Sequence, residues 1–146
     1  MKIELYLDIP DIVLSSKEFK LTLEFNGVEI PTPPANERNE HGHFPWFFDV
    51  EPQDKNNIKV IVEGLGDVMD KTKYFNIFES IIDEVNFDIV HLMNCRAQPN
   101  GLEYQKGATQ LDSDGYLEIP FNLPVWEYWC QTNNAFNYED YPIWNT

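Results

Sequence analysis

The stretch L-E-I-P-F-N-L-P-V-W-E-Y-W-C-Q, residues 117–131, decides how this chain is read. Pro120 and Pro124 lack a backbone N–H and fix φ, so neither suits a helix interior or a central ladder position. The aromatic and β-branched residues around them suit a pleated, half-buried surface. The expectation is a late, bent pair of strands that closes on Val125, Trp126, Glu127, Tyr128 and Trp129. Successive residues of a strand face opposite sides. Trp126 and Tyr128 would then share one face, and Val125, Glu127 and Trp129 the other. One set would be core and the other open to a ligand or a partner.

Upstream, the same period of two recurs. Ile3, Leu5 and Leu7 alternate with Lys2, Glu4 and Tyr6, and Phe19, Leu21, Leu23 and Phe25 alternate with Glu18, Lys20, Thr22 and Glu24. Asn26-Gly27 follows at once, ahead of Val28-Glu29-Ile30. Asn-Gly between alternating segments marks a two-residue hairpin, because a type I′ turn needs positive φ at both central positions. A polar loop (31–43) leads to a strand at Phe44–Val50, and Ile58, Val60 and Val62 mark another. Residues 75–93 carry two signals. Phe75, Phe78, Ile82, Val85, Ile89 and Leu92 have helical spacing, but strong helix formers are scarce and Ile, Val and Phe dominate. Strands turning near Asp83-Glu84 are the reading adopted, with a helical turn around Asp88–Met93. Seven or more short strands separated by turn signals indicate an all-β antiparallel sandwich with long loops, built as one domain over 1–131. An aromatic C-terminal arm over 132–146 carries Phe136, Tyr138, Tyr141 and Trp144, lying back on the domain or reaching a neighbouring subunit.

Composition narrows the function. The 146 residues are 42% hydrophobic and 14% aromatic, the mark of a folded chain. Ten basic residues stand against twenty-five acids, for a net charge of −15 and a pI near 4.3. Phosphate binding needs a basic footprint, so nucleic acid is excluded as a partner and an anionic membrane is disfavoured. No apolar run approaches the ~20 residues of a membrane span. The opening M-K-I-E-L-Y-L-D, interrupted by Glu4 and Asp8, does not read as a signal peptide. Cys95 and Cys130 are expected as free thiols.

Residues 58–130 resemble a small jelly-roll module of marine and T4-like phage virion proteins, itself similar to calcium-dependent xylan-binding carbohydrate modules. The resemblance rests on I-K-V-I-V-E-G-L-G-D-V-M-D-K-T (58–72), N-I-F-E-S-I-I-D-E-V-N-F-D-I (76–89) and G-Y-L-E-I-P-F-N-L-P-V-W-E-Y-W (115–129). Glu84 stands where the turn glycine of that module is usual, and the 64–72 loop is short and poor in aspartate for a calcium loop. The resemblance implies a jelly-roll-like fold and a phage-particle origin more than sugar binding.

Candidate sites are few. Asp112-x-Asp114-Gly115 offers hard oxygen ligands two apart, and Asp67 and Asp70 would add to them if the two loops meet in space. Calcium, which takes six to eight oxygens, is the ion such a set would hold; a solvated turn is the plainer explanation. His41, His43 and His91 fall short of a zinc set with a defined second shell. Trp46, Trp126, Tyr128 and Trp129 are flat enough to stack on sugar rings, though packing alone accounts for them. His91, Cys95 and the adjacent acids Asp83 and Glu84 match no catalytic motif, and no enzyme is expected.

The leading expectation is a non-enzymatic phage virion structural protein: a decoration, adaptor or tail-associated subunit made in the host cytoplasm. It would bind other virion proteins or its own copies through Phe136, Tyr138, Tyr141 and Trp144, with Trp46 or Trp126 on the contact face. One alternative is a calcium-dependent carbohydrate-binding module that takes polysaccharide on Trp126 and Tyr128. Another is an acidic inhibitor whose carboxylates imitate DNA phosphates.

Overall fold

Ile3, Leu5 and Leu7 are fully buried along β1 (Lys2–Asp8), while the residues between them reach the opposite face. A strand with one dry face needs a second layer to cover it. The computed structural model, which describes residues 1–66, 72–87 and 95–133, supplies that layer as a second sheet.

The chain proceeds through α1 (Asp11–Leu14), β2 (Lys20–Phe25), β3 (Val28–Ile30), β4 (Phe44–Asp49), β5 (Lys55–Glu63), β6 (Phe75–Ile82) and β7 (Val85–Phe87). It continues with β8 (Arg96–Pro99), β9 (Gln105–Lys106), β10 (Gln110–Leu111) and β11 (Gly115–Asn122), and α2 (Val125–Asn133) closes the described part. One sheet has the order β10-β6-β1-β4, with β7 also paired to β6. The other runs β3-β2-β5-β11-β8-β9, and every pairing is antiparallel. Ile3, Leu5, Leu7, Trp46, Phe75, Ile77 and Ile82 from the first sheet meet Leu23, Ile58, Val60, Val62, Leu117, Ile119 and Phe121 from the second in one core. Each such side chain contributes about 1.5–3 kcal/mol by leaving water. The fold is an antiparallel β-sandwich.

Two hairpins turn as the sequence indicates. Asn26 and Gly27 have φ of 51° and 82°, and Phe25 faces Val28 across the turn. The β6–β7 turn uses the same left-handed conformation without glycine, at Asp83 (49°) and Glu84 (67°). Segments 75–82 and 85–87 are therefore strands, and the helical turn expected at 88–93 lies outside the described residues.

The reading of 125–129 as a strand is corrected. β11 passes through Pro120, where it pairs with Asn57 of β5 but is already beyond β8, which pairs only with Gly115–Glu118 of β11. The ladder is one-sided there and tolerates a missing donor. After Pro124 the chain coils into α2, and Pro124 O accepts the first helical bond from Tyr128 N at 3.0 Å. Val125, Tyr128 and Trp129 stand at i, i+3 and i+4, so they lie along one side of a helix. Trp126 and Tyr128 do not share a strand face. The expected boundary between 131 and 132 falls inside α2. Among the described residues, no helix is long and apolar enough to cross a membrane.

Both cysteines are free. Burial alone pushes the Cys95 thiol up to about 12, which keeps it protonated and unreactive at neutral pH. Native protein treated with a chromogenic disulfide reagent at pH 8 is expected to modify Cys130, which is partly exposed, and to spare Cys95 until denaturant is added. Mass mapping of the modified peptides checks this.

Candidate functional site

Antiparallel pairing of β1 with β6 is regular until Tyr6 and Leu7, where the register slips: Tyr6 faces Glu79 but Leu7 faces Ile77. Phe78 is the additional residue, a β-bulge. Without it, Glu79 would continue the inward series begun by Phe75 and Ile77. With it, Phe78 and Glu79 both stand on the outer face, and Ser80 turns inward to complete burial (0% exposed). The Ser80 hydroxyl has no hydrogen-bond partner among the described residues, so a buried hydroxyl offsets the exposure of two larger side chains.

The 31–43 loop is tied down beside this bulge. Trp46 Nε1 donates to Thr32 O at 2.7 Å and Ala35 N to Pro45 O at 2.8 Å. Arg38 donates to Ile9 O and to Asp11 Oδ1, and its guanidinium lies 4.9 Å from the Phe44 ring centre. Asn39 Oδ1 accepts from the backbone N–H groups of His41 and His43, both at 3.0 Å. That small turn sets the His43 ring parallel to Phe78, with centres 4.2 Å apart and planes at 16°.

The result is a groove of about 560 Å³ on the outer face of the first sheet, lined by Tyr6, Asn39, Glu40, His41, His43, Phe78, Glu79 and Ile81. Phe78 is 52% exposed. Phe47 meets the Tyr6 ring edge-on at 6.0 Å. Glu79 Oε1 accepts from Asn86 Nδ2 at 2.8 Å. Desolvation, then the charges of Glu4 and Glu79, raise the Tyr6 phenol above its ordinary value, so it stays a hydrogen-bond donor at neutral pH. The groove thus combines apolar ring faces with two carboxylates, an amide, a phenol and two imidazoles. Sequence reading passed over all of these but the histidines, because the bulge that brings Phe78 beside Tyr6 leaves no mark in a period-two pattern.

The residues singled out beforehand are dispersed. Trp46 is not on a contact face: it is 2% exposed and its indole N–H is satisfied by Thr32, so it is a core residue. On α2, Trp126 is 57% exposed and stacks on Trp129 at 5.0 Å, nearly parallel. Trp129 Nε1 donates to Asn86 O at 3.1 Å. Tyr128 faces inward, its ring 6.2 Å from Phe87 and its hydroxyl donating to Pro120 O at 3.0 Å. Phe136, Tyr138, Tyr141, Trp144, Asp67, Asp70 and His91 lie outside the described residues.

The Asp112–Asp114 loop meets Leu65 and Gly66, the described start of the 64–72 loop. Asp114 Oδ1 accepts from Leu65 N at 2.8 Å and Gly66 N at 3.3 Å, and Asp114 O accepts from Asn100 N at 2.8 Å. Gly115 allows this closeness, since a Cβ there would strike Gln98 O and Pro99 Cα. Asp112 Oδ1 accepts from Gln110 Nε2 at 2.8 Å. Among the described residues no three metal-ligating side chains gather, and the Asp114 carboxylate serves as a clasp between loops. Asp114→Ala is expected to cost about 2 kcal/mol of stability, with Asp114→Asn costing less because its amide oxygen still accepts. Urea unfolding of both variants measures it.

No protein-family model matches the chain, and no curated protein matches it. Among solved structures it is similar to vCBM60 in complex with galactobiose, at 12% identity over 82% of this chain and 97% of that one, with a TM-score of 0.42. It is also similar to the selenomethionine form of vCBM60, from work linking two families of calcium-dependent carbohydrate binding modules by circular permutation. That match has 12% identity over 81% and 88% of the two chains and a TM-score of 0.41. Likeness of this degree assigns neither a ligand nor a residue to this chain.

Proposed function

We propose that this protein is a non-catalytic saccharide-binding module whose ligand lies in the groove on the outer face of the first sheet. One observation carries the reading: the Tyr6 and Phe78 rings open into the same concavity as the carboxylates of Glu40 and Glu79 and the amide of Asn39. A sugar presents hydroxyls, which both donate and accept, around an apolar C–H face, and a site for it needs ring faces beside polar groups. A few convergent polar groups on an apolar floor are the general form of a small-ligand pocket. The buried, protonated Cys95 thiol offers no nucleophile for a catalytic alternative.

Titration calorimetry against a panel of plant, algal and bacterial oligosaccharides tests the reading. Binding by the native chain is expected to weaken about tenfold in Phe78→Ala and in Tyr6→Ala, the loss of one ring contact. Trp126→Ala, on α2, is expected to leave it unchanged. Repeating the titration with EGTA separates this groove from the calcium-dependent alternative built on Trp126, Tyr128 and the aspartates 67, 70, 112 and 114. Absence of binding to every saccharide defeats the reading.

A second reading, a phage virion subunit held by protein contacts, is favoured by Trp126, a large apolar side chain left 57% exposed at the start of α2. In that role the aromatic residues Phe136, Tyr138, Tyr141 and Trp144 that follow α2 would extend the contact. Truncation after Thr132 is then expected to abolish incorporation into particles. Unchanged incorporation removes the docking role from that segment.

A further inference from the structure

The groove has a charge as well as a shape. Glu40 and Glu79 line it, and no lysine or arginine does so among the described residues. Arg38, one residue before Asn39, is bound to Asp11 and Ile9 O, and Lys2 on β1 pairs with Glu4 at 3.5 Å. Glu40 is exposed and lies 3.5 Å from His41 Nε2. The fields of Glu4 and Glu79 both act at Tyr6 on the groove lining, and the whole chain adds a net charge of −15.

Resting on the saccharide reading above, we infer that the ligand is a cationic amino sugar, an oligosaccharide of the glucosamine type whose amines are free and protonated. Three features of the groove fit that chemistry. An ammonium group beside Glu79 meets an opposite charge at a half-buried position, where it is screened less than on open surface, and the exposed Glu40 on the groove rim adds a second, more screened one. The Tyr6 ring and the face of Phe78 not covered by His43 attract the same cation through their quadrupoles and accept the apolar face of the sugar. The Asn86 amide fixes one oxygen of Glu79 and leaves the carboxylate charge in place. Uronates and sulfated glycans meet the opposite condition, a like-charged groove on a like-charged protein.

The experiment compares four probes by calorimetry at low and at moderate salt: a β-1,4-glucosamine hexamer, its fully N-acetylated counterpart, a hexagalacturonate and hexalysine. The glucosamine hexamer is expected to bind at least about tenfold more tightly than the N-acetylated one, a difference of about 1.4 kcal/mol. Its affinity should fall with salt. Glu79→Gln, which removes the charge but keeps an acceptor for Asn86, should bring the ratio of the two hexamer affinities close to one. Equal affinity for the two hexamers overturns the inference while the saccharide reading stands. Hexalysine binding as tightly as the glucosamine hexamer also overturns it, since the groove would then read charge alone. If neither hexamer nor any other saccharide binds, the reading beneath the inference fails with it.

Discussion

Everything in this molecule depends on two sheets drying each other's inner faces. Neither sheet can exist alone, because each exposes a row of Ile, Leu, Val and Phe that only the other covers. That constraint fixes which way each strand faces, and a one-residue slip would send a whole series to the wrong side. The β6 strand shows how strictly the rule is kept. Continuing its alternation would bury the Glu79 carboxylate in the core, at a desolvation cost far above that of a hydroxyl. The chain instead inserts Phe78 as a bulge, keeps Glu79 in water and accepts Ser80 inside.

The groove is a by-product of that solution. An extra residue on the outer face brings a phenylalanine beside a tyrosine and a glutamate, on a sheet surface that would otherwise be flat. The 31–43 loop, held by Trp46, Arg38 and Asn39, then raises one wall with two histidines and Glu40. Core and recognition surface are thus joined through one backbone irregularity. Trp46 does for the loop what an exposed contact residue does for a partner: it offers a large ring and one N–H, but both are used within the chain.

Much of the architecture was legible from periodicity and turn chemistry. The β1, β2 and β5 alternations, the Asn26-Gly27 hairpin and the strands either side of Asp83-Glu84 follow from local rules. The α2 helix was missed because Val125, Tyr128 and Trp129 satisfy helical spacing in a run so rich in aromatic and β-branched residues that strand propensity outweighs it. The groove was missed for a different reason: it joins β1, β6 and a loop forty residues away in sequence, and no local pattern reports such a meeting. Asp114 lies between these cases. Its residue type was noticed, but its role as a clasp on the amides of Leu65 and Gly66 required knowing that the two loops touch.

The position of α2 has a further consequence. Among the described residues, short β7 lies at the margin of its sheet, where backbone groups without a neighbouring strand invite foreign strands to add on and polymerise. The helix lies across this flank, and the Trp129 indole already occupies the Asn86 carbonyl. A chain this rich in strand-forming sequence thereby shields one margin from fibrillar growth, and its acidity adds mutual repulsion between copies.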